Sequence, residues 1–91
     1  MRLLVCGDRN WSDYESIVAR IRELAPELVI EGEARGADRL ARTAAYALGI
    51  EVAAFPAQWN TTGRAAGMLR NQQMLDDGKP DMVLAFHDNI L

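Results

Sequence analysis

The stretch VIEGEARGADRLARTAAYALG, Val29 to Gly49, decides the fold class. An apolar run meets two glycines four apart, Gly32 and Gly36, and these open onto an amphipathic run. Leu40, Ala41, Ala44 and Leu48 form one inner face of a helix predicted from about Ala37 to Leu48, and Gly49 stands where a helix stops. The unit reads as strand, glycine loop and helix. Ile50 to Phe55, ended by Pro56, then supplies the next strand.

The same alternation extends in both directions. Arg2 to Cys6 is a short, nearly continuous apolar run, as in strands buried on both faces, and the turn cluster Gly7-Asp8-Arg9-Asn10 closes it. Ser12 precedes Glu15 by three residues, the spacing of a capping box. Ile17, Ile21 and Leu24 follow at helical spacing until Pro26. Beyond Pro56 the loop AQWNTTG leads to a third helix, predicted from about Arg64 to Leu75, which Gly78 and Pro80 close. Met82 to Phe86 is a fourth apolar strand. The order βαβαβαβ with right-handed crossovers predicts an α/β fold: a four-stranded parallel sheet, order 3-2-1-4, with helices on both faces. Nothing divides the 91 residues, so 1–91 reads as a single domain. Only His87 to Leu91 follow the last strand. The sheet is therefore expected to need cover from further chain, a rearranged tail or a partner subunit.

Composition excludes several functions. A net charge of -3 offers no basic stripe for a nucleic-acid backbone, so no nucleic-acid partner is expected. No apolar stretch reaches the roughly 18 residues of a membrane span, and no secretory pattern opens the chain. Cys6 is the only cysteine, which rules out a disulfide framework and a cysteine metal cluster. It reads as a buried, inert thiol in a cytoplasmic protein. No metal-ligand spacing, Ser-His-Asp order or paired-carboxylate signature is present, so neither a metal nor a cofactor is expected.

In open parallel sheets, ligands bind beyond the carboxyl ends of the strands. Gly7-Asp8-Arg9, Gly32 to Asp38, Gln58-Trp59-Asn60 and His87-Asp88 all converge there. Gly32 and Gly36 allow a sharp turn and close approach, and the first N–H groups of the second helix are expected to point free toward an anion. Arg35 would add a charge-assisted contact, and Asp38 suits the first helical turn and the loop backbone. G-x-x-x-G spacing serves a plain tight turn equally well. In AAGMLRNQQM, Ala65 to Met74, Arg70 could clamp the anion while Asn71 fixes the loop; one solvated arginine and one surface asparagine are the bland alternative. Trp11 and Trp59 suit either base stacking or packing. His87, the only histidine, has no evident partner.

The segments GDRNW, GEARGADRLA, GIEVAAFPAQWNTTGRAAGMLRNQQM and GKPDMVLAF follow one another as in the SLOG superfamily. The chain most resembles its YspA branch, related to YpsA, over nearly its whole length, and looks like a bacteriophage-type member. The resemblance implies a Rossmann-like three-layer fold, distantly similar to LOG-type phosphoribohydrolases and DprA, and a nucleotide or nucleotide-derived ligand. It carries Gly7 and Arg9 onto the first pocket loop, Gly32, Arg35, Gly36 and Asp38 onto the phosphate loop, and Arg70 with Asn71 onto the facing helix. Two departures stand out. Glu33 occupies the second position of a common G-G-A-x-G-A-D loop; it must point away, pair with Arg35, or meet something other than phosphate, such as ribose hydroxyls. The family's second glycine motif, of G-G-x-G-T type and with a catalytic glutamate in LOG-type enzymes, would lie beyond Leu91, so residues 1–91 are expected to lack the family's last helix and strand.

The expectation is a cytoplasmic binding protein for a nucleotide-derived small molecule, sensing or sequestering it without catalysis. The alternatives are a phosphoribohydrolase acting on nucleoside monophosphates, and a non-binding structural module that forms a homo-oligomer.

Overall fold

A computed structural model describes residues 1–87. The strands are β1 (Arg2–Gly7), β2 (Leu28–Glu31), β3 (Glu51–Ala54) and β4 (Met82–Phe86). They form one parallel sheet in the order β3-β2-β1-β4, as the alternation predicts. Helices α1 (Tyr14–Leu24) and α2 (Ala37–Ala47) cover one face. The other carries a short helix α3 (Trp59–Thr62), a 3-10 turn (Gly63–Ala65), α4 (Ala66–Gln73) and a π turn (Met74–Gly78).

The core follows the pleat. Successive strand residues point to opposite faces, so Leu3, Val5 and Val29 meet Ile17, Ile21, Ala41 and Ala44 under the two long helices. Leu4 and Ile30 face the other way and meet Met74. The small residues of α2 let it lie close on the sheet, while Leu40 and Leu48 sit half-buried at its flanks.

Two local expectations are corrected. The cap of α1 is Asp13, whose carboxylate accepts from the Ser16 N–H at 3.1 Å; Ser12 instead accepts through its carbonyl from Tyr14. Carboxylates and hydroxyls compete for this position, and the shorter path from Asp13 to the first turn wins. The third helix starts earlier than its apolar pattern, because α3 forms within the predicted loop and Gly63, at φ 58°, turns the chain between α3 and α4. The apolar strand β4 is left partly open, as the lack of a following helix predicts: Met82, Val83 and Ala85 are exposed. The π turn after α4 reaches β1 and β2 through Met74 and Gly78, leaving β4 at an open edge. Asp88 to Leu91 lie outside the described residues, and with them the expectations of a rearranged tail and of Asp88 by the crevice.

No helix among the described residues is long and apolar enough to cross a membrane.

The cap assignment has a direct test. In urea denaturation, Asp13→Ala should lower stability by about 1 kcal/mol, and Ser12→Ala by less than about half that. The reverse order would restore Ser12 as the cap.

Candidate functional site

The site is organised by two loops held against each other. Gly36 has φ 86°, and a side-chain carbon there would collide with the Asp8 and Arg9 backbone. Only glycine allows that approach. The Ala37 N–H donates to the Asp8 carbonyl at 3.2 Å, and the Arg39 N–H to the Ala34 carbonyl at 3.2 Å. The expectation of free N–H groups at the start of α2 is thereby corrected. Part of that first turn is already satisfied by the neighbouring loop.

Asp38 closes the glycine loop from within. It is buried, and one carboxylate oxygen accepts from the N–H groups of Gly32 at 3.1 Å and Ala34 at 3.4 Å. Burial raises its pKa, while those two N–H groups and the positive charge of Arg70 oppose the rise. Arg70 lies directly over Gly32, in the space a side chain there would need, and its Nη1 donates to the Gly32 carbonyl at 2.5 Å. Its Nε donates to Asn71 Oδ1 at 2.8 Å. Asn71 thus orients Arg70 and does not reach the loop.

Glu33 adopts a left-handed backbone, φ 56°, and its carboxylate pairs with Arg42 at 2.6 Å. Its carbonyl accepts from Arg39 Nε at 3.2 Å. The carboxylate is therefore matched by α2, and pairing with Arg35, one of the three alternatives open from sequence, is not adopted. Arg35 reaches Asn10 Oδ1 at 3.5 Å.

The eight residues proposed from sequence do not share one cavity. Gly32 and Arg70 line a cleft of about 270 Å³ together with Glu33, Arg39, Arg42 and Trp59. Arg9, Arg35 and Gly36 line an adjacent cleft of about 490 Å³ with Trp11 and, again, Arg39. Asp38 is buried beneath the loop, and Gly7 abuts the Phe86 backbone of β4. Asn71 borders an apolar hollow with Leu4, Cys6 and Val83. Trp59 is 60% exposed. Trp11 is half-buried, tilted against Phe86 at 5.5 Å between ring centres, and its Nε1 donates to the Asp13 carbonyl. His87 is exposed and lines neither cleft.

Three residues of consequence were not singled out from sequence: Glu31, Arg39 and Arg42. Arg39 and Arg42 follow the loop three apart, a spacing that puts both on one side of α2. Glu31 shares the face of Val29 by the strand period of two, which buries a carboxyl group. It is fully buried; Oε2 accepts from the Glu33 N–H at 3.2 Å, and Oε1 has no partner among the described residues. Burial, then the nearby charge of Asp38, pushes its pKa up to about 7. Burial likewise raises the Cys6 thiol, with a smaller contribution from Asp38, consistent with an inert thiol. No group of three or more His, Cys, Asp or Glu among the described residues could hold a metal ion.

The model of the YAcAr family, YspA and cpYpsA-related SLOG proteins, matches residues 1–61. The chain belongs to this family. The match covers both pinned loops and ends within α3, so Arg70 and Asn71 lie beyond it. Neither a curated protein nor a solved structure matches the chain.

The Glu31 carboxyl makes stability depend on pH in a defined direction. Its folded pKa, about 7, lies above the ordinary 4.5, so its neutral form stabilises the fold fully below 4.5. That contribution is lost as pH rises toward 7. Wild type should lose on the order of 2 kcal/mol relative to Glu31→Gln between about pH 4.5 and about pH 8, read by urea midpoints. Parallel pH profiles for the two proteins would show that Glu31 titrates normally.

Proposed function

We propose that this SLOG-family protein binds a nucleotide or nucleotide-derived small molecule, in a sensing or sequestering role, in the cleft between the glycine loop and the Pro56–Arg70 segment. One observation carries the reading. Trp59 stands exposed beside Arg39, Arg42 and Arg70, giving an aromatic platform and cations in one concavity. Base stacking on an exposed aromatic ring and charge-assisted bonds to phosphate are the two interactions a nucleotide requires. Glu33, the one carboxylate in the lining, is already matched by Arg42. The anion is held by guanidinium groups more than by the start of α2, and Arg39 is the principal phosphate contact because its terminal nitrogens carry no ion pair among the described residues. Arg70 contributes through the donors left after its bonds to Gly32 and Asn71. Family membership is consistent with such a ligand. A cytoplasmic setting suits a single cysteine that forms no disulfide.

Calorimetric titration of AMP tests the site. Wild type should bind, more weakly as salt is raised. Trp59→Ala should lose roughly tenfold in affinity, within the ~1–3 kcal/mol attributed to one stacked base. Absence of heat with folded wild type, or equal affinity of wild type, Trp59→Ala and Arg39→Ala, would remove the proposed cleft.

A second reading, self-association, is favoured by the open edge at β4. Met82 and Val83 are 42% and 55% exposed there, and Leu75 on the π turn is 50% exposed. The edge strand carries no charged residue, Pro or bulge of the kind that blunts pairing. Under this reading the wild type is a dimer in light scattering and Val83→Lys a monomer. A monomeric wild type discards it.

A further inference from the structure

The two clefts beside the glycine loop share a side chain. Arg39 lines the Trp59 cleft on one side and the Arg9–Arg35 cleft on the other. The ridge between them is the Glu33–Gly36 segment, held by Asp38 within and by the Gly36–Asp8 contact at its far end. In a chain of net charge -3, the second cleft gathers Arg9, Arg35 and Arg39. None of the three forms a salt bridge among the described residues, and no acidic residue lines that cleft. Surface arginines ordinarily disperse or pair, because clustered like charges repel.

The backbone that carries the cluster is also held in place before any ligand arrives. Arg35 precedes Gly36 and Arg39 lies in the first turn of α2, and the close approach at Gly36 fixes this segment to the loop carrying Arg9. Asn10 connects the same loops: its N–H donates to Asp8 Oδ1 at 2.8 Å, and its Oδ1 accepts from Arg35. A fixed backbone keeps the three guanidinium groups around one cleft, so less freedom is lost on binding an anion. Beside them, Trp11 and Leu40 give the cleft an apolar wall.

We propose that the Arg9–Arg35–Arg39 cleft is a second phosphate subsite, so that the ligand carries two separate phosphate groups, one on each side of the Glu33–Gly36 ridge. The inference rests on the nucleotide reading of the Trp59 cleft and specifies its ligand class. Arg39, at the boundary, serves both groups. A ligand with a single phosphate engages one cleft and leaves the other cluster unmatched. A bisphosphorylated nucleoside, or a dinucleotide with a terminal phosphate, satisfies both.

The experiment compares AMP, adenosine 3′,5′-bisphosphate and the linear dinucleotide pApA by calorimetry at low salt. Proteins are the wild type, the Arg9→Ala/Arg35→Ala double variant, and Arg22→Ala as a control for loss of positive charge at the end of α1. Wild type should bind at least one two-phosphate ligand tenfold or more tighter than AMP; which one does so distinguishes a bisphosphate from a dinucleotide. That advantage should shrink to within twofold in the double variant and persist in Arg22→Ala. Equal affinity of wild type for all three ligands would overturn the second subsite while leaving the nucleotide cleft standing. An advantage that survives the double variant, or is lost equally in Arg22→Ala, would overturn it too, since bulk charge would then explain it. Failure of all three to bind would remove both readings.

Discussion

The contact between Gly36 and the Asp8–Arg9 backbone is the constraint on which the rest of the site depends. It brings the loop after β1 and the loop after β2 closer than any side chain would permit. The Ala37 N–H to Asp8 carbonyl bond then fixes where α2 begins. From that start follow the position of Asp38 beneath the loop and those of Arg39 and Arg42 above it. The same contact makes the glycine loop a ridge with a cleft on each side. A side chain at residue 36 would separate the loops, and the guanidinium groups would no longer share a rim.

Beneath this ridge the electrostatics oppose those above it. Glu31 and Asp38 are two buried carboxyl groups whose pKa values are raised, first by loss of water and, for Glu31, also by its neighbour. A buried carboxylate without full hydrogen bonding is costly, and the cost falls when the group holds its proton. The arginines remain on the wetter side, where a charged group keeps part of its hydration. The molecule thus separates an acidic floor that braces the loop from a basic rim that can meet an anion. Glu33 joins the two layers: its N–H bonds to Glu31 while its carboxylate pairs with Arg42.

The β4 edge illustrates a different constraint. An apolar strand is buried on a sheet only where something covers it, and the π turn after α4 packs on β1 and β2 instead. This is why MVLAF is a uniformly apolar strand and yet leaves Met82 and Val83 exposed. Hydrophobicity reports a tendency toward burial, not which element supplies the cover.

Fold class, strand order and the elements that meet at the site were legible in the sequence, because hydrophobic period and turn residues act locally. The alternation of short apolar runs with helical patterns is enough to specify a parallel α/β sheet, and its observed order β3-β2-β1-β4 is the doubly wound one expected. Family motifs likewise marked Gly32, Gly36, Asp38 and Arg70 without any geometry. The tasks of those residues were not legible. Gly32 makes room for Arg70, Gly36 for the Asp8 loop, and Asn71 holds Arg70. Glu33 met Arg42 on the next helix, and Arg39 emerged as common to two clefts. Each outcome depends on distances between segments far apart in the chain. Such distances are set by how closely the backbones pack, and the linear order of residues does not contain them.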